Sequence, residues 1–273
     1  MSNSNLEEKV NGMIKKMKKV MVTGDYHIPY MNKGAYNVMK EYTKKYKPDV
    51  FIINGDLLDF YSISSFDKKP DRKDSVSNDV KKARKVLRDI RKTVGKSTEI
   101  HYLIGNHENR FQTFLWRHAP ELYGVDGLTL KEQLRLDELS INYVSADNDY
   151  WGKDNGHLKI GDMIIMHGDS RLNGSSYSKY SCYGIKNTIL NGIQNSVIQG
   201  HSHRLGKFFH NDYVGLESGS ICEKIGTANW QQGFVTFEVY RNKTYNHRTH
   251  KIINGRIYED GRIIQDGRKR NDR

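Results

Sequence analysis

Apolar runs of strand length alternate with helix-like patterns along the first half of the chain. Runs at 19–23, 50–54 and 100–104 predict strands, and the middle run is almost continuously apolar, as in a strand that is buried on both faces. The spacing of apolar positions predicts helices over 34–46 and 75–93. The apolar face of the second helix comprises Val76, Val80, Ala83, Leu87 and Ile90. This strand–helix–strand order predicts a layered α/β fold.

The second half of the chain has the shorter period of β-structure. A Gly161-Asp162 turn between apolar runs at 158–160 and 163–166 predicts a hairpin. Further strands are predicted at 196–199, 204–210, 213–217, 234–240 and 244–253, followed by a hairpin near 254–264. Together with the first half, this pattern predicts two sheets that pack face to face, with helices outside.

The length of 273 residues suits one domain, predicted at 19–265 between a basic lead-in at 1–18 and a basic tail at 266–273. The chain is 36% hydrophobic, and its apolar runs are far shorter than the ~20 residues that a membrane helix needs. The lead-in lacks the apolar core of a signal peptide. We therefore expect a cytoplasmic protein that does not enter membranes.

The formal net charge of +12 changes the expected partners. Such a charge attracts polyanions, including nucleic acid and phosphorylated substrates. A lysine-rich surface without a specific partner is the alternative. The basic residues are densest at 15–19, at 81–92 and in the tail.

Polar side chains follow each predicted strand that has the apolar character of a buried one. The five strand ends carry Asp25 and His27, Asp56 and Asp59, Asn106 and His107, His167 and Asp169, and His201 and His203. Ligands of α/β proteins bind beyond the carboxyl ends of the strands, on loops that a rigid sheet holds. We therefore expect these side chains to meet at one rim of the fold.

Residue type then indicates a metal site. Cys182 and Cys222 have no metal-binding or redox spacing, so the ligands must be histidine, carboxylate and amide groups. Such a set favours divalent ions, with Mn as the expected metal and Fe, Zn, Ni or Mg as alternatives. Five strand ends supply more ligands than one ion needs. A carboxylate shared by two ions about 3.5–4 Å apart forms a clamp that serves phosphoryl chemistry.

Five motifs, in this order, resemble those of the calcineurin-like metallophosphoesterase superfamily. They are DxH at 25–27, GDxxD at 55–59, GNHE at 105–108, a strand-borne histidine at 167 and GHxH at 200–203. The segments at 105–122 and 218–234 are also similar to phage and bacterial metallophosphoesterases. The resemblance implies a four-layer α/β/β/α sandwich of two mixed sheets.

The resemblance also implies a role for each motif residue. The implied metal ligands are Asp25, His27 and His203 for one ion, Asn106, His167 and His201 for the other, and Asp56 as the bridge between them. His107 would protonate the leaving group or stabilise the phosphate, and Asp59 would orient it. The implied reaction is hydrolysis of a phosphodiester, in nucleic acid or nucleotides, by a hydroxide shared between the two ions.

Three arginines beside the motifs are candidate phosphate contacts: Arg110, Arg171 and Arg204. Protein phosphatases of the family carry arginines at two positions that here hold Phe60 and Ile104, which argues against a phosphoprotein substrate. A phosphomonoesterase and a non-catalytic binding protein on the same scaffold are the alternatives. Non-catalytic scaffolds usually lack some metal ligands, and here the implied set is complete.

Overall fold

The computed structural model of this chain describes residues 17–145, 156–169, 195–224, 226 and 228–266. The described strands are β1 Lys18–Thr23, β2 Val50–Asn54, β3 Glu99–Leu103, β4 Ile141–Val144, β5 His157–Ile160, β6 Met163–Met166, β7 Ser196–Gln199, β8 Leu205–His210, β9 Tyr213–Ser218, β10 Gly233–Tyr240, β11 Lys243–Lys251, β12 Arg256–Glu259 and β13 Arg262–Gln265. The described α-helices are α1 Lys33–Tyr46, α2 Val76–Val94, α3 Asn106–His118 and α4 Leu130–Leu134. The predicted elements are present, with ends shifted by one or two residues, whereas α3, α4 and β4 were not predicted.

Six of the described strands form the first sheet, in the order β11-β10-β1-β2-β3-β4. Strands β1 to β4 run parallel, with Val22 opposite Ile52 and Ile52 opposite His101, while β10 is antiparallel to β1. The second sheet has the order β5-β6-β7-β9-β8, in which β6, β7 and β9 are parallel. The carboxyl ends of β1, β2 and β3 therefore lie along one edge, as do those of β6 and β7.

The two sheets pack face to face over an apolar core. In β2, Val50 and Ile52 join the core between the sheets, while Phe51 and Ile53 join the core beneath the helices. The second sheet contributes Met163, Ile165, Ile198, Val214 and Leu216 to the core between the sheets. Burial on both faces explains the continuous apolar run of β2. Each such side chain stabilises the fold by about 1.5–3 kcal/mol, which makes the sheets a rigid support for their strand ends.

The helices cover the other face of the first sheet. Helix α1 starts after Asn32, whose side chain accepts a hydrogen bond from the Ala35 backbone N–H at 2.7 Å. Ser75 caps α2 in the same way, accepting from the Asn78 N–H at 3.3 Å, so it lies just outside the helix. The buried apolar residues of α2 are Val80, Ala83, Leu87 and Ile90, as the periodicity predicts.

The predicted fold class is confirmed by two mixed sheets packed on each other, with helices outside the first sheet. Residues 170–194, which join β6 to β7, lie outside the described part of the chain. So do 1–16 of the predicted lead-in and 267–273 of the predicted tail. None of the described helices combines the length and the apolar character needed to cross a membrane.

Candidate metal centre

Five strand ends deliver the predicted polar residues to one edge of the sandwich. The first sheet contributes Asp25 and His27 after β1, Asp56 and Asp59 after β2, and Asn106 and His107 after β3. The second sheet contributes His167 and Asp169 after β6, and His201 and His203 after β7. The parallel direction of these neighbouring strands places their ends side by side, and the structure joins all ten side chains in one continuous set of contacts.

The backbone at half of these positions is left-handed. The φ angle is 52° at Asp25, 48° at His27, 50° at Asp56, 61° at His201 and 55° at His203. For residues other than glycine, this conformation costs about 1–3 kcal/mol and is concentrated at functional sites. The packing of the sheets must offset that cost. The conformation of these turns is therefore set by the tertiary structure and not by local sequence preference.

Two glycines allow the strand ends to approach each other. A Cβ atom on Gly55, where φ is 76°, would lie 2.5 Å from Nδ1 of His167. A Cβ atom on Gly200 would lie 2.9 Å from Oδ2 of Asp25. A methyl group on Gly55 would displace His167, and one on Gly200 would displace Asp25.

Asp25, His27, Asp56 and His203 form the first buried group of possible ligands. Their ligand atoms all lie within 4.8 Å of one another. Nε2 of His27 lies 2.9 Å from Nε2 of His203 and 3.6 Å from Oδ2 of Asp56. Nε2 of His203 lies 3.2 Å from Oδ1 of Asp25. Two imidazole nitrogens that face each other between carboxylates suit a shared divalent ion.

Asp56 also belongs to a second group, with His167 and His201. Nε2 of His167 lies 3.2 Å from Oδ2 of Asp56. The amide oxygen of Asn106 lies 3.0 Å from Nε2 of His167 and 2.9 Å from Nδ1 of His201. This group therefore has carboxylate, amide and imidazole donors, and it shares one carboxylate with the first.

Hydrogen bonds behind the centre fix how two imidazoles point into it. Nδ1 of His167 donates to the backbone carbonyl of Asn54 at 2.9 Å. Nδ1 of His27 lies 3.2 Å from Oδ1 of Asp59. In both rings the outer nitrogen is engaged, so Nε2 faces the centre, which is the usual arrangement of metal-binding histidines.

Glu108, the last residue of the GNHE motif, ties two strand ends together. Its buried carboxylate accepts hydrogen bonds from the backbone N–H groups of Gly105 at 2.9 Å, Asp56 at 2.8 Å and Leu58 at 3.0 Å. It therefore joins the turn after β2 to the start of α3. Glu108 was not among the site residues predicted from the sequence, although its place in the motif was a signal.

His107 lies at the border between the centre and the open groove. Its Nδ1 donates to the carbonyl oxygen of Asp59 at 2.8 Å, and its Nε2 lies 3.7 Å from Oδ2 of Asp56. Arg110 donates through Nη2 to Nε2 of His107 at 3.1 Å and through Nη1 to the Asp59 carbonyl at 2.7 Å. Burial by itself lowers the pKa of His107, but the carboxylates of Asp56 and Asp59 outweigh it, and the pKa is raised.

The electrostatics of the centre favour bound cations. Burial alone would raise the pKa of Asp56, but the neighbouring His107 and His167 hold it well below its usual range. Burial alone would lower the pKa of His167 and of His203, yet the carboxylates of Asp56 and Asp25 raise both to about 10. Buried carboxylates that hold protons so firmly on their neighbours also attract metal ions, which compete for the same nitrogens.

A groove of about 840 Å³ opens from this centre. Its metal end is lined by residues of four motifs, among them Asp56, His107 and His201. Beyond them it runs between α3 and the segment 62–68. Substrate can therefore reach the centre from solvent, and the groove extends well past it.

The three candidate arginines have different locations. Arg110 lines the groove beside His107. Arg171 lies outside the described residues. Arg204 is buried, with 3% of its surface exposed, and is not among the described residues that line the groove. We therefore leave Arg204 out of the proposed substrate contacts.

Apart from Arg110, the groove residues on α3 were not predicted from the sequence. Asn109, Thr113, Phe114 and Arg117 line the groove from the same side as Arg110. Their spacing of three and four residues places them on one face of a helix that begins at the GNHE motif. That spacing was a usable signal, whereas the opposite wall, at 62–68, has no periodic pattern.

Residues 18–205 match the calcineurin-like phosphoesterase family. The match covers more than half of the chain, so the chain belongs to this family, and the resemblance given by the five motifs is confirmed. The chain is 26% identical over 266 residues to the Gene 54 protein of Mycobacterium phage L5, covering 90% of this chain and 98% of that protein.

Among solved structures, the chain resembles wild-type Vps29 of Entamoeba histolytica complexed with Zn²⁺, with a TM-score of 0.45 and 14% identity over 90% of this chain and 95% of that one. It also resembles an archaeal phosphodiesterase, with a TM-score of 0.42 and 15% identity over 86% of this chain and 99% of that one. Family membership and the buried Asp and His cluster together indicate that the centre binds divalent metal.

Proposed function

We propose that this chain is a dinuclear metal-dependent phosphodiesterase that acts on nucleic acids or nucleotides. One observation carries the proposal: the carboxylate of Asp56 belongs to both groups of ligand atoms. A carboxylate between two ions is the arrangement that supports in-line displacement at phosphorus.

The two ions have separate ligand sets around that carboxylate. The first ion is held by Asp25, His27, His203 and Asp56, and the second by Asn106, His167, His201 and Asp56. The nitrogen and oxygen donors suit Mn²⁺ and also admit Fe, Zn, Ni or Mg. When bound, two such ions lower the pKa of a water molecule and neutralise the charge of the phosphate.

His107 acts as the general acid for the leaving oxygen. Asp59 accepts the hydrogen bond from Nδ1, which keeps Nε2 towards the reacting phosphate. The raised pKa of His107 favours the protonated ring that a general acid needs. Arg110 supplies positive charge beside it. A phosphate oxygen that accepts a hydrogen bond from Arg110 releases Nε2 of His107 to carry the proton.

The groove favours a diester over a monoester. It continues along α3 beyond the metal centre, whereas a phosphomonoester of a small molecule needs space on one side of the phosphate only. The net charge of +12 also favours a polyanionic substrate. A phosphomonoesterase and a non-catalytic binding protein are the outcomes that the experiment must separate from this one.

Metal content and substrate choice test the proposal together. We expect purified protein reconstituted with Mn²⁺ to hold two ions per chain by elemental analysis and to hydrolyse bis-p-nitrophenyl phosphate faster than p-nitrophenyl phosphate. Asp56→Asn should lower both metal stoichiometry and activity, while Asp126→Asn, an exposed aspartate outside the centre, should change neither.

Loss of the general acid should separate chemistry from metal binding. We expect His107→Ala to reduce kcat by about 10²–10⁴-fold with its metal content retained. His157→Ala, at an exposed histidine on β5, is the matched control. Equal turnover by His107→Ala and wild type would refute the role of His107.

Two other results would favour the alternative functions. Faster hydrolysis of the monoester than of the diester would indicate a phosphomonoesterase, and two bound ions without any hydrolysis would indicate a binding protein.

A further inference from the structure

The part of the groove beyond the metal centre has its own chemistry, and we call it the arm. One wall is the segment 62–68, which presents Phe66 and Lys68, and the other is α3, which presents Arg110, Phe114 and Arg117. Helix α3 rises ~1.5 Å per residue, so the arm extends ~10 Å along it between Arg110 and Arg117. That length is about three times the ~3.4 Å between stacked nucleotides. The arm therefore has room for more than one nucleotide.

Two aromatic rings in the arm are open to solvent. Phe66 is 65% exposed and Phe114 is 37% exposed. Covering either ring with a ligand would remove apolar surface from water, which is favourable. The guanidinium carbon of Arg110 lies 5.6 Å from the centroid of the Phe66 ring. An exposed ring beside a cation is the pair on which a nucleobase stacks while its phosphate meets the charge.

The charges of the arm differ from those of the metal end. Among the described residues that line the groove, the carboxylates are Asp56, Asp59, Asp169 and Glu223. None of them comes from α3 or from the segment 62–68, whose Asp67 is not among the lining residues, so these walls contribute cations and neutral side chains to the groove. Arg117 is exposed and makes no ion pair with the described residues. The arm is thus positive where the centre, before it binds metal, is negative.

We propose that the arm binds single-stranded nucleic acid, with bases stacked on Phe66 and Phe114 and phosphates beside Arg110 and Arg117. The inference rests on the proposed phosphodiesterase function and names the substrate of the same site. Stacking on a protein ring requires a base that is not already stacked in a duplex. The arm therefore binds single strands in preference to duplexes, and it positions the phosphodiester backbone of the bound strand at the metal centre.

Binding of a fluorescein-labelled oligothymidylate tests the arm directly. The full chain is first measured without metal, so that no strand is cut, by fluorescence anisotropy at several salt concentrations. We expect tighter binding to the single strand than to the same strand paired with oligoadenylate. Phe66→Ala should weaken binding to the single strand about 5- to 150-fold, the effect of one lost stacking contact, and Phe114→Ala should act in the same direction.

Two control variants match these changes elsewhere on the surface. Phe209 is 61% exposed on β8 with Lys207 4.9 Å from its ring centroid, so Phe209→Ala removes a similar pair outside the groove. Arg117→Ala should reduce the slope of log affinity against log salt by about 0.7, the effect of one phosphate contact on a single strand. Arg262→Ala, at an exposed arginine on β13, should leave the slope unchanged.

The Mn²⁺-loaded enzyme gives the second measurement. We expect Phe66→Ala to raise KM for the oligonucleotide by a factor similar to its loss of affinity, with a smaller effect on kcat. Equal affinity for single strand and duplex, or equal losses in Phe66→Ala and Phe209→Ala, would overturn the inference. If such a protein still hydrolyses bis-p-nitrophenyl phosphate, the proposed function stands without it. Specific single-strand binding by a protein with no hydrolysis would support the arm and refute the phosphodiesterase.

Discussion

Glu108→Gln is the change that most sharply tests how the metal centre is held together. The carboxylate of Glu108 accepts three backbone hydrogen bonds, from Gly105, Asp56 and Leu58, at 2.8 to 3.0 Å. Oε2 serves two of these donors and Oε1 serves Leu58. Glutamine has the same shape but only one acceptor oxygen. Its NH₂ group must therefore face an N–H group that it cannot satisfy.

The loss of stability follows from these bonds. If the NH₂ group of glutamine faces Leu58, the backbone N–H of Leu58 loses its acceptor. Leu58 has no exposed surface, so water cannot replace that acceptor. The lost hydrogen bond to a charged group is worth about 1.5–3 kcal/mol. The bonds from Gly105 and Asp56 weaken by roughly 0.5–1 kcal/mol each as their acceptor becomes neutral. Burial, and then the charge of Asp56, raise the pKa of Glu108, so removing its charge offsets part of this loss. We expect a net loss of about 2–4 kcal/mol.

Urea unfolding followed by tryptophan fluorescence measures this loss. The protein is first treated with a chelator to remove metal, so that metal binding does not add to the apparent stability. Glu121→Gln is the control, because Glu121 is exposed and makes no hydrogen bond with the described residues. A free energy of unfolding for Glu108→Gln within ~0.5 kcal/mol of the Glu121→Gln value would refute the reasoning, since surface changes lie in that range.

Three further changes test other parts of the structure. Gly200→Ala places a methyl group 2.9 Å from Oδ2 of Asp25, so we expect Mn²⁺ affinity to fall at least about tenfold in a calorimetric titration; unchanged affinity would mean that Asp25 is not a ligand. Burial lowers the pKa of His250 from 6.5 to about 4, so its neutral form contributes stability above pH 6.5 that is lost as the pH falls. That contribution declines by about 2 kcal/mol by pH 5 in urea unfolding, and His250→Gln should show a smaller decline. Burial raises the pKa of Asp79 to about 7, so stability present below pH 4 is lost as the pH rises to 7. Asp79→Asn should therefore need more urea to unfold than wild type at pH 8, and a gain of equal size at pH 4 would contradict this account.

The rim of polar residues was predictable because each one follows an apolar strand closely. Asp25 and Asp56 come two residues after β1 and β2, and His201 comes two residues after β7. A residue so near the end of a strand has little freedom of position once the strand is placed in its sheet. The direction of the strands then decides which ends meet, and parallel order was predictable from continuous apolar runs such as that of β2.

The residues that line the groove are brought there by tertiary packing, which no local sequence pattern predicts. Phe66 lines the groove because the segment 62–68 brings its ring to within 5.6 Å of the Arg110 guanidinium on α3, and no local pattern predicts that contact. Arg204 follows the last motif directly, yet it is buried, whereas Arg117 lies nine residues after the end of the GNHE motif and still lines the groove. Proximity to a motif in sequence is therefore a weaker guide than the face of a helix.

The pairing of β1 has a consequence for how this protein folds during synthesis. Every motif residue has been synthesised once the ribosome passes His203, but the antiparallel partner of β1 is β10, Gly233–Tyr240. The loop that contains Asp25 also lacks a hydrogen-bond donor until later residues are made, because the backbone N–H of Ile221 donates to the Asp25 carbonyl at 3.1 Å. A nascent chain thus carries all of its ligands well before it has the framework that positions them. The centre can therefore form only late in translation, and a chain that ends after the final motif would contain every predicted ligand but lack the strand that supports them.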